Sequence, residues 1–176
     1  MYQRMIWSAL LMMCIITAFP PATFAQDSAK DETATGKGDE NMEKELLQSL
    51  IGSWEGTCRT WFEPGKLADE SRISGRISPV LDGFFFRHEY ESSLQGKPRH
   101  GEELIAFNSV TKRFQVSWVD DFHMNYAIMF SEGEATERGF FVLGKYDVAP
   151  GTPPWGWRTV YEVIDRDHLI ITAYNI

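Results

Sequence analysis

The sequence predicts an all-β protein: an up-and-down antiparallel barrel of about nine to ten strands behind a short N-terminal helix. Three observations predict it. From Gly52 to Asn175 the apolar residues recur mostly at period two, in closely spaced runs. Turn-forming residues such as Pro64-Gly65, Asp82-Gly83 and Gln95-Gly96 separate those runs, which leaves no room for crossover helices and excludes parallel β/α folds. Aromatic residues reach 14%, with 12 Phe and 6 Trp, and large rings pack well on pleated surfaces. A meander of this length normally closes, because closure removes its exposed edges.

The 176-residue chain is long enough for one domain with a substantial core. Residues 1–25 read as a secretory signal peptide that should stay outside the fold. Arg4 supplies the positive start, Met5 to Phe19 the apolar run, Pro20 and Pro21 its break, and Thr23-Phe24-Ala25 the cleavage signal. The expected location is therefore periplasmic or secreted, with no membrane attachment after cleavage. Processing would remove Arg4 and make the net charge of −8 one unit more negative. That balance disfavours nucleic acid, whose binding needs Lys and Arg to displace counterions. Processing would also remove Cys14 and leave Cys58 alone, so no internal disulfide is expected.

Residues 26–41 are almost devoid of apolar side chains and read as a disordered linker. The barrel domain is expected over 42–176. Met42, Leu46, Leu47 and Leu50 recur at helical spacing behind Asn41 as N-cap, and Gly52 ends the helix. Strand one then places Trp54, Gly56, Cys58, Thr60 and Phe62 on one face. Strands follow over 69–80, 84–94, 100–108, 113–120, 124–130, 139–148, 157–164 and 168–175, with a polar turn over 132–137 and a Pro- and Gly-rich loop over 149–156. The sequence stops at Tyr174-Asn175-Ile176 inside an apolar strand pattern. A missing last strand, and a gap or frayed seam between the first and last strands, are expected.

Leu50-Ile51-Gly52-Ser53-Trp54-Glu55-Gly56, Trp118-Val119-Asp120-Asp121 and Arg158 to Tyr174 together resemble the bacterial family named for domain of unknown function 1579, a lipocalin-like (calycin) group. The resemblance covers everything from Met42 onward. It implies a barrel of about ten strands, with Trp54 packed across the closed end, and it implies no shared activity. The Gly-x-Trp opening more distantly resembles the haem-binding nitrobindin barrels. No residue here matches their haem-ligating histidine.

A small barrel is either filled or holds one modest ligand. The leading expectation is a small, mostly apolar molecule inside. The alternatives are a haem or metal bound through an interior His, or an enzyme acting on a cavity-bound molecule. Gly52 and Trp54 read as architectural. Cys58 is either an interior thiol that reacts or ligates, or an ordinary buried Cys. His88 shares a face with Phe84, Phe86 and Tyr90. Inward, it could hold a haem iron or polarise a ligand, or it is hydrogen-bonded in the core. Asp120, Asp121 and His123 follow Trp118 at a strand end and describe either a rim site or a polar turn. Alternation sends the two Asp to opposite faces, and Asp120 continues the Trp118 face. Arg158 and Glu162 share one face of their strand and Tyr161 takes the other. If the first face is internal, Arg158 is a buried cation awaiting an anion. Candidate ligand-binding residues are therefore Cys58, Phe86, His88, Trp118, Asp120, His123 and Arg158. Trp155-Gly156-Trp157 reads as an aromatic lid or an end cover. No Gly-rich phosphate loop, His-Glu-x-x-His or Gly-x-Ser-x-Gly is present.

Overall fold

The computed structural model describes residues 11–18 and 38–176, with side chains from residue 42 onward. Strand β1 (Leu11–Ala18) is followed by helix α1 (Gly38–Ser49) and by nine consecutive strands. These are β2 (Gly52–Glu63), β3 (Lys66–Val80), β4 (Phe85–Leu94), β5 (Lys97–Asn108) and β6 (Arg113–Asp120), then β7 (Met129–Thr136), β8 (Gly139–Tyr146), β9 (Trp155–Asp165) and β10 (His168–Asn175). Each of β2 to β10 pairs antiparallel with the next, giving the curled meander that the alternation predicts. Among the described residues no helix is long and apolar enough to cross a membrane.

The seam departs from expectation. β2 and β10 do not pair with each other; β1 lies between them and closes the barrel. It pairs antiparallel with both, Leu11 to Thr17 against β10 and Leu11 to Ala18 against β2. Residues 11–18, expected outside the fold, thus stand where a gap was expected. The reason is physical. Two strand edges present rows of unpaired amides and carbonyls, and an apolar, partly β-branched run satisfies both at once. The expected linker and signal residues 1–10 and 19–37 lie outside the described residues.

Other differences are local. The helix begins at Gly38, so Asn41 lies inside it rather than capping it. The sixth expected strand, 124–130, is displaced: 121–128 forms a loop and β7 runs through the expected turn at 132–137. Asp120 causes this shift, because its side chain organises the backbone after it. The β4–β5 hairpin turns on Gln95 and Gly96 alone, at φ 50° and 75°, the double positive φ of a two-residue turn that matches strand twist. Pro98 is already in β5. Phe84 directly follows the 3₁₀ turn of Leu81–Gly83, is 72% exposed, and does not join the inner face of Phe86 and His88.

The interior has two tiers. At the α1 end, Leu47, Leu50, Trp54, Ile77, Phe86, Ile105, Phe114, Phe140 and Leu169 belong to one buried apolar cluster. Phe140 stacks between Phe114 and Tyr161, with centroids 4.3 and 4.4 Å away. Trp54 Nε1 donates to Leu50 O at 2.9 Å, which locks the last helical turn onto the barrel. A second cluster of Trp118, Met124, Met129, Tyr146, Trp157 and Ala173 lies towards the opposite end.

Candidate functional site

Alternation along β2, β4, β5, β6 and β9 turns a set of polar side chains inward at mid-height. His88, Arg99, Glu103 and Asp120 are 3%, 3%, 7% and 6% exposed. Burying such groups is costly unless each finds partners. Glu103 is the hub. His88 Nδ1 lies 2.7 Å from Glu103 Oε2, and Tyr161 Oη donates to Glu103 Oε1 at 2.7 Å. Burial, reinforced by the Glu103 charge, holds the Tyr161 hydroxyl well above its ordinary pKa, so it remains a donor. Tyr90 is raised in the same way, by burial first and then by Glu103 and Asp120. Its oxygen accepts from Trp118 Nε1 at 2.9 Å. Arg99 Nη2 donates to Cys58 Sγ at 3.1 Å, across the barrel from β5 to β2.

Each residue singled out in sequence now has a place. Cys58, Phe86, His88, Trp118 and Asp120 are all on the inner face. Phe86 is part of the lower apolar cluster. His88 is committed to Glu103, and its Nε2 is buried without a partner, facing the β3 main chain. A Cβ at Gly75 would lie 3.3 Å from that nitrogen, so the glycine lets β3 approach the ring closely. Arg158 is on the outer face instead. Its guanidinium lies over the rings of Phe141 and Tyr174, 5.1 and 5.9 Å from their centroids. Trp157, Thr159 and Tyr161 take the inner face of β9, which forces Arg158 and Glu162 outward. His100 and His168 are surface groups paired with Asp121 and Asp165. Asp121 is held below the usual carboxylate range chiefly by the His100 backbone N–H.

The mouth opposite α1 is covered by the loop over 121–128. Asp120 Oδ1 accepts from the backbone N–H groups of Phe122, His123 and Met124. This one carboxylate oxygen folds the loop back over the barrel. Met124 is thereby buried, and the His123 ring stands edge-on to Trp118, Trp157 and Tyr146, at 6.1, 5.5 and 6.4 Å. Trp118 and Trp157 stack at 5.5 Å. Trp157 is therefore a wall of the mouth, while Trp155 packs edge-on to Tyr146 at 6.1 Å. Burial lowers the pKa of His123; Asp120 opposes and Arg99 adds to that shift. Asp120 Oδ2 is buried with no hydrogen-bond partner.

Beneath the same loop an open groove of about 1050 Å³ runs along the outer face of β3 to β6. Tyr126 and Ile128 overhang it, Arg76, Glu89 and Glu102 form one side, and its floor reaches Tyr90, Asp120 and Met124. The floor is thin because Gly75 and Gly101 flank Tyr90 in neighbouring strands; the Tyr90 ring occupies the space a Gly101 side chain would take. Sequence reasoning identified Asp120 and set Tyr90 on the His88 face, but missed Glu103 and Arg99. Glu103 lies inside the expected strand 100–108, and alternation would have put Arg99 on its face had the strand start at Lys97 been recognised. Among the described residues no group of three or more His, Cys, Asp or Glu is placed to hold a metal ion.

Among curated proteins none matches this chain. A family model does match, over residues 39–176, which is most of the chain and includes α1 and all nine strands of the meander. The chain belongs to the family described as protein of unknown function DUF1579.

Proposed function

We propose that this protein is an exported barrel that binds a small, mostly apolar molecule in the outer-face groove under the 121–128 loop. One observation carries the reading: the groove beneath the loop reaches a buried Asp120 whose Oδ2 has no partner. Ligand sites are concave and largely apolar, with a few convergent polar groups. Val119, Ala127 and Ile128 supply apolar lining, and Asp120 supplies an acceptor for one donor group of the ligand. The lower interior is packed with Phe86, Phe114 and Phe140, which favours this groove over the barrel interior as the place of binding.

Export is supported by Arg4, the apolar run to Phe19 and Thr23-Phe24-Ala25. The mature protein then starts at Gln26. N-terminal sequencing of the protein from the periplasm or medium checks this; a sequence beginning at Met1 would refute it.

Binding is tested by native mass spectrometry of protein purified from its host, followed by titration with 1-anilinonaphthalene-8-sulfonate. A retained mass that Ile128→Glu abolishes, or probe fluorescence that Ile128→Glu removes, is the expected outcome. Absence of any retained mass, together with probe binding indifferent to Ile128→Glu and Asp120→Asn, defeats the proposal.

A further inference from the structure

The groove under the 121–128 loop has two side walls, and strand register sets both. Arg76, Glu89, Glu102 and Val119 are successive partners across β3 to β6 and form one exposed wall. Ser74, Glu91 and His100 are successive partners too, and Asp121 joins them through its backbone bond to His100, which gives the other wall. Between the walls runs the row of Gly75, Tyr90, Gly101 and Asp120.

The charge of this groove is one-sided. Five carboxylates line it, against Arg76 and His100. Glu89 and Glu102 stand directly opposite each other, an unfavourable place for like charges. Arg87 relieves Glu102 from outside the groove, His100 pairs with Asp121, and Ser74 donates to Glu91 at 3.1 Å. An acidic surface alone does not define a ligand. The second observation is Asp120, which is 6% exposed and lines the groove. No described residue donates to its Oδ2. A buried carboxylate oxygen short of a donor is costly, so the site gains most from a ligand that brings a charged N–H. Val119, Ala127 and Ile128 offer nothing to a bare metal ion but suit an apolar body.

We propose that the ligand of this groove is a protonated primary amine on an apolar body, its ammonium directed at Asp120 Oδ2 in the field of Glu89 and Glu102. The inference rests on the binding reading above and adds the charge and head group of the ligand. A quaternary ammonium carries the charge but has no N–H to donate, so it fits less well. Asp120 also anchors the loop through Oδ1, so a bound ammonium and the loop share one carboxylate.

The test is isothermal titration calorimetry of the purified protein at neutral pH and low salt, with octylamine, octyltrimethylammonium, octan-1-ol and octanoate as probes. Octylamine should bind about tenfold or more tighter than the other three, and amide exchange at residues 122–128 should slow when it binds. Asp120→Asn should bring its affinity close to that of octan-1-ol. Because Asp120 also holds the loop, Glu89→Gln on the exposed wall is the second variant. It should weaken octylamine about two- to fivefold and leave octan-1-ol unchanged. Equal binding of octylamine and octan-1-ol, with Ile128→Glu abolishing both, overturns this inference and leaves the groove reading standing. Equal binding of the primary and quaternary ammonium, or a preference for octylamine that neither variant reduces, overturns it as well. If none of the four probes binds, the groove reading itself fails and this inference with it.

Discussion

Glu103 binds three strands through two hydrogen bonds, from His88 on β4 and Tyr161 on β9. Hydrogen bonds to a charged acceptor are worth more than neutral ones, and leaving a buried carboxylate short of a donor costs more still. Tyr161→Phe should therefore lower stability by about 1.5–3 kcal/mol, read as a lower urea midpoint at unchanged slope. An unchanged midpoint would remove Glu103 from the role of hub. Steric limits at residue scale are equally sharp. A Cβ at Gly133 would overlap the Phe141 carbonyl oxygen, a backbone group that cannot swing away. Gly133→Ala should cost about 1–3 kcal/mol, whereas Gly144→Ala, which meets mainly the Ser131 side chain, should cost less. His88 was legible as sharing a face with Phe86 and Tyr90, and Asp120 with Trp118, because period-two alternation survives any error in strand ends; that these faces point inward was not. The Glu103–Tyr161 bond was not legible, since it joins residues 58 positions apart.

The loop over 121–128 is the element whose behaviour depends most on pH. His123 is docked against three rings with its pKa below the ordinary value of 6.5, because burial disfavours the charged form. An undocked His123 therefore binds a proton more readily than a docked one. Loop docking is fully favourable above the ordinary value and is lost progressively as pH falls from there through the lowered one. Arg99 acts in the same direction and Asp120 against it. Amide exchange at residues 122–128 should therefore rise between pH 7.5 and 5.5 relative to β6, and His123→Phe should abolish the rise. Exchange that tracks only the intrinsic pH dependence would refute this. At the other end, Trp54→Phe removes the Leu50 hydrogen bond and part of a buried ring system. A loss of about 1–3 kcal/mol is expected, with α1 exchanging faster than the strands. The misplaced sixth strand shows the limit of pattern reading. Met124 to Phe130 looks apolar enough for a strand, but three backbone N–H groups bonded to one Asp120 oxygen hold a loop instead.

For the whole molecule the decisive feature is the seam. With β1 in place, every strand of the barrel has two neighbours. A chain comprising residues 26–176 leaves β2 and β10 with one open edge each. Hydrogen exchange comparing it with the full chain should show faster exchange in those two strands and little change in β5 to β7. Equal protection in both chains would mean that β2 and β10 pair directly once β1 is absent. What the sequence determined by itself was the all-antiparallel meander, the helix before Gly52, and that His88 shares a strand face with Phe86 and Tyr90 and Asp120 with Trp118. Those follow from local periodicity and turn chemistry, which act over a few residues. Tertiary structure alone decided that residues 11–18 close the barrel, that Arg158 faces outward, and that a loop rather than a strand covers the mouth. Each of these depends on which distant edge or carboxylate a segment finds, and backbone hydrogen-bonding groups take the partner that closure provides, not the one nearest in sequence.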